Sequence, residues 1–235
     1  MKKPLLIAID GPSASGKGTV AKKIAAHFNL PYLNTGALYR LVALRAIEQK
    51  VAVNSFFNAG KNDAIAPDDS EENFNLVTFE QLLDSLTKNI TENELEQEVL
   101  FGEDVGAVAS VIAQNSLLRK KLFTFQQEFI ANSKEQKGGA VLDGRDTTTV
   151  ICPDATNKFY ITAAVEIRAQ RRFNQLKNQG KNIAFEEILT QLKTRDENDS
   201  NRKDSPLLIA KDAIVIDNGT LSIEEGFKKC LSFIN

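Results

Sequence analysis

Leu5–Ile9 is an unbroken apolar run that stops at Asp10-Gly11-Pro12, the pattern of a strand covered on both faces. From Lys17 to Phe28 the apolar residues Val20, Ile24 and Phe28 recur every four positions, which predicts a helix with one buried side. Pro31–Asn34 reads as a short second strand. Thr35 is placed to cap a helix running to about Lys50, with Leu38, Leu41, Val42 and Ala46 inward. Strand, helix, strand, helix opens a parallel α/β sheet. Between Asn58 and Asn75 the pattern dissolves into Gly, Asn, Asp, Ser and Glu, the composition of a loop excursion. Residues 76–104 predict a helix near Phe79–Leu86 and then acidic segments around Glu92–Glu98, an insertion rather than part of the sheet. Helical periodicity returns from Ala107 to about Ser133. Strands follow at Gly139–Asp143, Lys158–Ile161 and Ile214–Asp217. Helices are expected at 163–179 and 184–202, separated by Gln179–Asn182. Ser222, with Glu225 three residues on, forms a capping-box start for a closing helix.

Composition narrows the class. The chain has 235 residues, 42% apolar and 26% charged, and folds unaided as one large domain or two small ones. Its formal charge of −2 argues against a general nucleic-acid binder but leaves room for arginines aimed at a small phosphorylated ligand. Two cysteines, Cys152 and Cys230, and one histidine, His27, argue against a disulfide framework or a zinc site and point to a reducing compartment. His27 is expected on a helix surface. The apolar start is too short for a signal peptide, and no run reaches the ~18 apolar residues of a membrane span. The expected compartment is the cytoplasm.

The first turn carries the chemistry. Gly11-Pro12-Ser13-Ala14-Ser15-Gly16-Lys17-Gly18-Thr19 lies between an apolar strand and a helix, with glycine, four residues, then Gly-Lys. That is the spacing of a phosphate-binding loop, in which small residues let backbone N–H groups surround phosphate oxygens at a helix N-terminus. Lys17, on a loop expected to face solvent, is placed to reach the β/γ-phosphates. Thr19 or Ser15 offers a hydroxyl near magnesium. The usual Ser/Thr directly after the lysine is replaced by Gly18. Asp143, ending the strand after Ala140-Val141-Leu142, is the candidate acid opposite the loop, holding magnesium through water.

With Asn34-Thr35-Gly36-Ala37-Leu38-Tyr39-Arg40, Asp143-Gly144-Arg145-Asp146, Gly102-Glu103-Asp104-Val105, Pro153-Asp154-Ala155 and Arg195 to Arg202, the chain resembles the bacterial cytidylate kinases, a family of nucleoside monophosphate kinases. The resemblance runs from Leu5 to the C-terminal helix and is weakest over about residues 55–105. It implies a single P-loop NTPase-type domain, a parallel sheet flanked by helices. The core is about 1–35, 105–165 and 205–235, with a nucleotide-binding insertion over 36–104 and a helical lid over 166–204. It also implies ATP as phosphoryl donor with Mg2+, CMP and dCMP as acceptors, and residues Gly11 to Thr19 around ATP. The acceptor residues implied are Thr35, Arg40, Ser110, Arg119, Arg145, Asp146, Arg195, Asp199 and Arg202. Thr19 and Asp143 would attend the metal.

Phosphoryl transfer needs positioning and neutralisation of charge more than acid–base groups, so arginines are the expected machinery. Arg40 lies four residues past Gly36. Arg145 sits at a strand's C-terminal end, where α/β ligands bind. Arg195, Asp199 and Arg202 share one helix face at i, i+4 and i+7. Arg168, Arg171 and Arg172 cluster on the preceding helix, in a lid that would exclude water from the phosphates. Arg168 and Arg172 join Lys17 and Arg145 as candidate catalytic residues. The chain departs from the family pattern at Ala14, Asn34, Thr148, Asn198 and Ser200, and a short stretch after Val105 is missing. Adenylate-, uridylate- or shikimate-type kinases, a slow GTP switch and a degenerate scaffold are the alternatives; the Asn-Lys-x-Asp motif of a switch is incomplete at Asn157-Lys158-Phe159-Tyr160. The expected state is a monomer with no nucleic-acid or membrane partner.

Overall fold

The structure, a computed structural model, describes residues 3–56 and 79–234. The loop excursion expected over 58–75 lies outside the described residues. Five parallel strands form one sheet in the order β2-β3-β1-β4-β5: β1 (Leu5–Asp10), β2 (Tyr32–Asn34), β3 (Gly139–Gly144), β4 (Asn157–Thr162) and β5 (Ile214–Asp217). Ile7, Ala8 and Ile9 of the central strand are fully buried, as an apolar run in an all-parallel sheet must be. The register aligns Asp10 with Gly144, Asn34 with Asp143, Asp10 with Tyr160 and Thr162 with Asp217. Every strand therefore ends at the same margin of the sheet, where α/β proteins bind ligands.

The helices are α1 (Lys17–Phe28), α2 (Thr35–Glu48), α3 (Phe79–Thr87), α4 (Glu92–Leu95), α5 (Glu103–Ile112), α6 (Ser116–Lys137), α7 (Val165–Asn178), α8 (Phe185–Asn201) and α9 (Ile223–Leu231). Val20, Ala21 and Ile24 of α1 pack with Ile7, Val141, Phe159, Ile161 and Ile216 into the sheet core, joined by Cys230. Cys152 and Cys230 are buried free thiols, and His27 is an exposed ring stacked edge-on against Phe28 and Phe227. Helices α7 and α8 have a seam of their own, Ala169, Leu176, Ile188 and Leu192 with Phe173 and Phe185 around them. Ser222 caps α9 through a capping box with Glu225.

The chain divides into two compact units, Met1–Thr35 with Gln126–Asn235 and Gly36–Phe125. Residues 105–125, expected in the core, group with the second unit. Within that unit Phe56, Leu83, Leu86, Leu100, Ile112, Leu118 and Leu122 are enclosed, and Arg45 ties α2 to Leu86 O, Lys88 O and Glu94. The acidic stretch after α3 contains a helix after all, because Thr91 and Glu94 close a capping box on α4.

Two local expectations need correction. The helix anticipated over Ala107–Ser133 is two helices: Asn115 Oδ1 accepts from Leu118 N (2.7 Å) as a cap for α6, while its Nδ2 donates to Phe56 O (2.6 Å). Thr35 is the first residue of α2 rather than its cap, since its hydroxyl donates to Asp143 O (2.9 Å) on β3.

Candidate active site

The turn from β1 into α1 has the backbone of a cradle. Gly11 takes φ +151° against the carbonyl of Ile161, with no room for a Cβ, and Gly16 takes φ +88° at the start of α1. Ala14 also has positive φ, +59°, the conformation for which glycine is the ordinary choice. Ser15 is fully buried, and its hydroxyl has no hydrogen-bond partner among the described residues. Such an orphan at a helix N-terminus is suited to an oxyanion.

Lys17 is buried rather than solvent-facing, with its Nζ 3.2 Å from Pro12 O. Burial, followed by the like charges of Arg145 and Arg195, pushes its ammonium down to about 7 against the pull of Asp143 and Asp199. The pocket around Lys17 is thus short of negative charge, and a phosphate group would make up the deficit.

Asp143 lies opposite. Burial raises its pKa, opposed by Lys17, by a hydrogen bond from Tyr32 Oη to Oδ1 (2.5 Å) and by Arg145. A Cβ on Gly18 would stand 3.6 Å from Tyr32 Oη and 3.7 Å from Asp143 Oδ2. The position facing the acid is therefore Gly18, whereas Thr19 is exposed on α1. Among the described residues, no three His, Cys, Asp or Glu side chains converge to hold a metal ion. One carboxylate at Asp143 and one enclosed hydroxyl at Ser15 suit magnesium that arrives on its nucleotide phosphates.

Arg145 leaves the end of β3 and reaches the loop. Its Nη2 donates to Ser13 Oγ (2.7 Å), its Nε to Asp199 Oδ2 of α8 (2.6 Å) and its Nη1 to Gly144 O (3.2 Å). Burial works against the guanidinium charge, but Asp199 together with Asp143 and Asp196 outweighs it, and the pKa is raised. Asp199 is held below the usual carboxylate value despite burial by Arg145, Arg195 and Arg202. Arg202 lies 3.6 Å from Asp146 and 3.9 Å from Asp199, and Arg145 joins Asp199 to the Asp143–Asp146 turn; α8 ends at Asn201, so Arg202 follows the helix in extended backbone rather than sharing its face with Arg195 and Asp199.

Arg168 and Arg172, the other candidate catalytic residues, are placed differently. All three nitrogens of Arg168 are engaged, Nε with Ala163 O (2.8 Å), Nη1 with Ser13 O (3.2 Å) and Nη2 with Asp196 (2.6 Å). Its geometry is that of a brace behind the loop. Arg172 donates to Gln175 Oε1 (2.8 Å) on its own helix, and Arg171 to Asn218 O (2.6 Å).

The turn after Arg145 is held by a residue the sequence reading did not single out. Asp10, fully buried, accepts from Thr147 N (2.9 Å), Thr148 N (2.7 Å) and Thr148 Oγ1 (2.6 Å). Burial raises its pKa, opposed by these three bonds. Above it Thr147–Ile151 makes one wide turn with i→i+5 bonds from Ile151 N to Asp146 O and from Cys152 N to Thr147 O. The signal available was an aspartate ending a buried strand, which needs donors.

In the second unit Arg40 Nη1 donates to Leu100 O (2.6 Å) and Gly102 O (3.2 Å), at the start of α5. Its guanidinium fills the space a Cβ on Gly106 would take. Arg119 stacks over Tyr39 at 5.6 Å and donates to Ala113 O (3.3 Å). Ser110 Oγ is a buried hydroxyl without a partner among the described residues.

The family model described as cytidylate kinase matches residues 7–235. The chain belongs to the cytidylate kinase family. It is 41% identical to a cytidylate kinase of Bartonella tribocorum over 99% of this chain and 95% of that one. It is 40% identical to a cytidylate kinase of Azorhizobium caulinodans over 98% of both. The solved structure of an uncharacterized protein from Eubacterium ventriosum shares the fold, with a TM-score of 0.50 at 16% identity over 98% of each chain. Membership turns two departures into local solutions: Thr148 uses its hydroxyl on Asp10, and Ala14 tolerates a glycine-like backbone. Nothing in the structure explains Asn34, Asn198 or Ser200.

Proposed function

We propose that this chain transfers the γ-phosphoryl group of ATP to CMP and dCMP, forming ADP with CDP or dCDP. The observation that supports it best is Arg145, which joins the loop built for a nucleoside triphosphate (through Ser13) to the polar face of α8 (through Asp199). A guanidinium so placed can meet the acceptor phosphate beside the donor phosphates, and its fork suits two phosphate oxygens.

In this reading the backbone of Gly11, Pro12, Ser13, Ala14, Ser15, Gly16, Lys17, Gly18 and Thr19 surrounds the triphosphate. Lys17 neutralises charge on the oxygens of the leaving group and of the transferred phosphoryl. Asp143 and the Ser15 hydroxyl would face magnesium brought by the nucleotide, which would supply neutralisation of phosphate charge; the exposed Thr19 is the weaker of the two hydroxyl candidates. Thr35, Arg145, Asp146, Arg195, Asp199 and Arg202 are assigned to the acceptor, as are Arg40, Ser110 and Arg119. Arg168 positions the loop, and Arg172 belongs to the lid over 166–204. No histidine or carboxylate base is required, because transfer through a loose transition state rests on alignment and charge. Among the described residues no helix is long and apolar enough to cross a membrane. The reading places a monomer in the cytoplasm, in pyrimidine nucleotide metabolism, with no nucleic-acid partner.

ADP release measured against a panel of acceptors tests the proposal. CMP and dCMP should accelerate it most. Faster turnover with AMP or shikimate, or strong GTP preference with no acceptor dependence, contradicts it.

A further inference from the structure

Asn218 follows β5 and belongs to none of the ligand-binding sets above, yet it is 3% exposed and contacts the phosphate loop from behind. Its backbone N–H donates to Thr162 O (2.7 Å), and its side-chain Nδ2 donates to Ser15 O (2.9 Å). A Cβ on Gly16 would stand 2.6 Å from Nδ2, and one on Gly226 of α9 would stand 2.6 Å from Oδ1. The amide is therefore clasped between two glycines. Its own carbonyl is gripped by Arg171, whose Nη2 lies 2.6 Å from Asn218 O and 3.2 Å from Gly219 O.

In a planar trans peptide the carbonyl and the next N–H point in opposite directions. Fixing Ser15 O on Asn218 therefore turns the Gly16 N–H away from Asn218, toward the inside of the loop. A peptide followed by glycine has little steric resistance to flipping, so an outside anchor is needed to hold one orientation. Arg168 does the same for the preceding segment by gripping Ser13 O.

We propose that Asn218, held by Arg171, is a positioning residue for the nucleoside triphosphate, keeping the Gly16 amide aimed at phosphate before ATP arrives. The proposal rests on the reading of the loop as the ATP site. Asn218→Ala should weaken binding of Mg-ATP about tenfold, the scale of one lost hydrogen bond to a buried acceptor, and leave CMP affinity within about twofold. Asn218→Asp, equal in size but without a donor for Ser15 O, should lose more. Arg171→Met should lose less, in the same direction. Asn157→Ala, which removes a side-chain hydrogen bond to Phe233 O away from the loop, serves as the control for a purely structural effect.

Titration calorimetry with ATP and with CMP separates the outcomes. An unchanged ATP affinity in Asn218→Ala, or ATP and CMP affinities falling together as the melting temperature falls, overturns the inference. Should that variant not fold, Arg171→Met decides alone, with undiminished ATP affinity as the contrary result. If the unmodified protein binds no ATP, the functional reading fails and takes this inference with it. If it binds ATP and the variants match it, only the inference fails.

Discussion

The loop between β1 and α1 keeps polar groups in reserve. Ser15 Oγ is enclosed without a partner, and Lys17 meets one backbone carbonyl in a pocket that lowers its pKa. Around α7 and α8 arginines already stand beside carboxylates, Arg145 with Asp199, Arg168 with Asp196, and Arg202 near Asp146. The two regions thus prepare for anions in different ways. The loop is a rigid mould with an electrostatic deficit, whereas Arg145 must exchange a carboxylate for a phosphate. Such an exchange costs little net charge separation, because one anion replaces another beside the same guanidinium, and it leaves room for discrimination by shape.

The sharpest way to break this contrast is Lys17→Ala. It should reduce transfer by roughly 10³-fold, the scale of losing one preorganised group that meets developing charge. The same change removes a desolvated cation, so the melting temperature should hold or rise. Turnover within a few-fold of the original, or an unfolded variant, would show that the deficit at Lys17 is not functional.

A smaller effect probes the matched side. Asp199 has a folded pKa below its ordinary 3.8, so its contribution to stability is complete above that value and is lost as pH falls through the lower folded one. Denaturant midpoints followed from about pH 5 to about pH 2 should therefore drop more steeply in the unmodified protein than in Asp199→Asn. Parallel profiles would mean that the Arg145–Asp199 pair adds nothing. Smallest of all is Ala14→Gly. Relief of a left-handed alanine, worth about 1–2 kcal/mol, is partly offset by greater freedom of the unfolded chain, leaving about 0.5 kcal/mol of stabilisation in thermal unfolding. A clear loss of stability would show that the loop does not need that backbone conformation.

Much of this was legible in the chain. Strands buried on both faces announce themselves as apolar runs, as β1 and β3 do, and β4 and the edge strand β5, where Val215 is exposed, are legible from shorter apolar runs. The loop was readable because its function depends on the order of small residues and a lysine along a few positions. What escaped depends on partners distant in sequence. The wide turn at Thr147–Ile151 has no periodicity, and its shape is set by Asp10, which arrives from another strand. Thr35 looks like a cap until β3 supplies a carbonyl for its hydroxyl. Asn218 looks like an ordinary loop residue until α7 and α9 close around it. The burial of Lys17 was missed for the same reason, since desolvation is a property of packing.

A crystal structure with CMP and a non-hydrolysable ATP analogue bound together decides whether donor and acceptor phosphates meet at Arg145. It should show triphosphate oxygens on the amides of Ser15, Gly16 and Lys17, and Arg145 turned from Asp199 onto the CMP phosphate. A loop without nucleotide, or Arg145 still locked on Asp199 with CMP held elsewhere, would contradict the account.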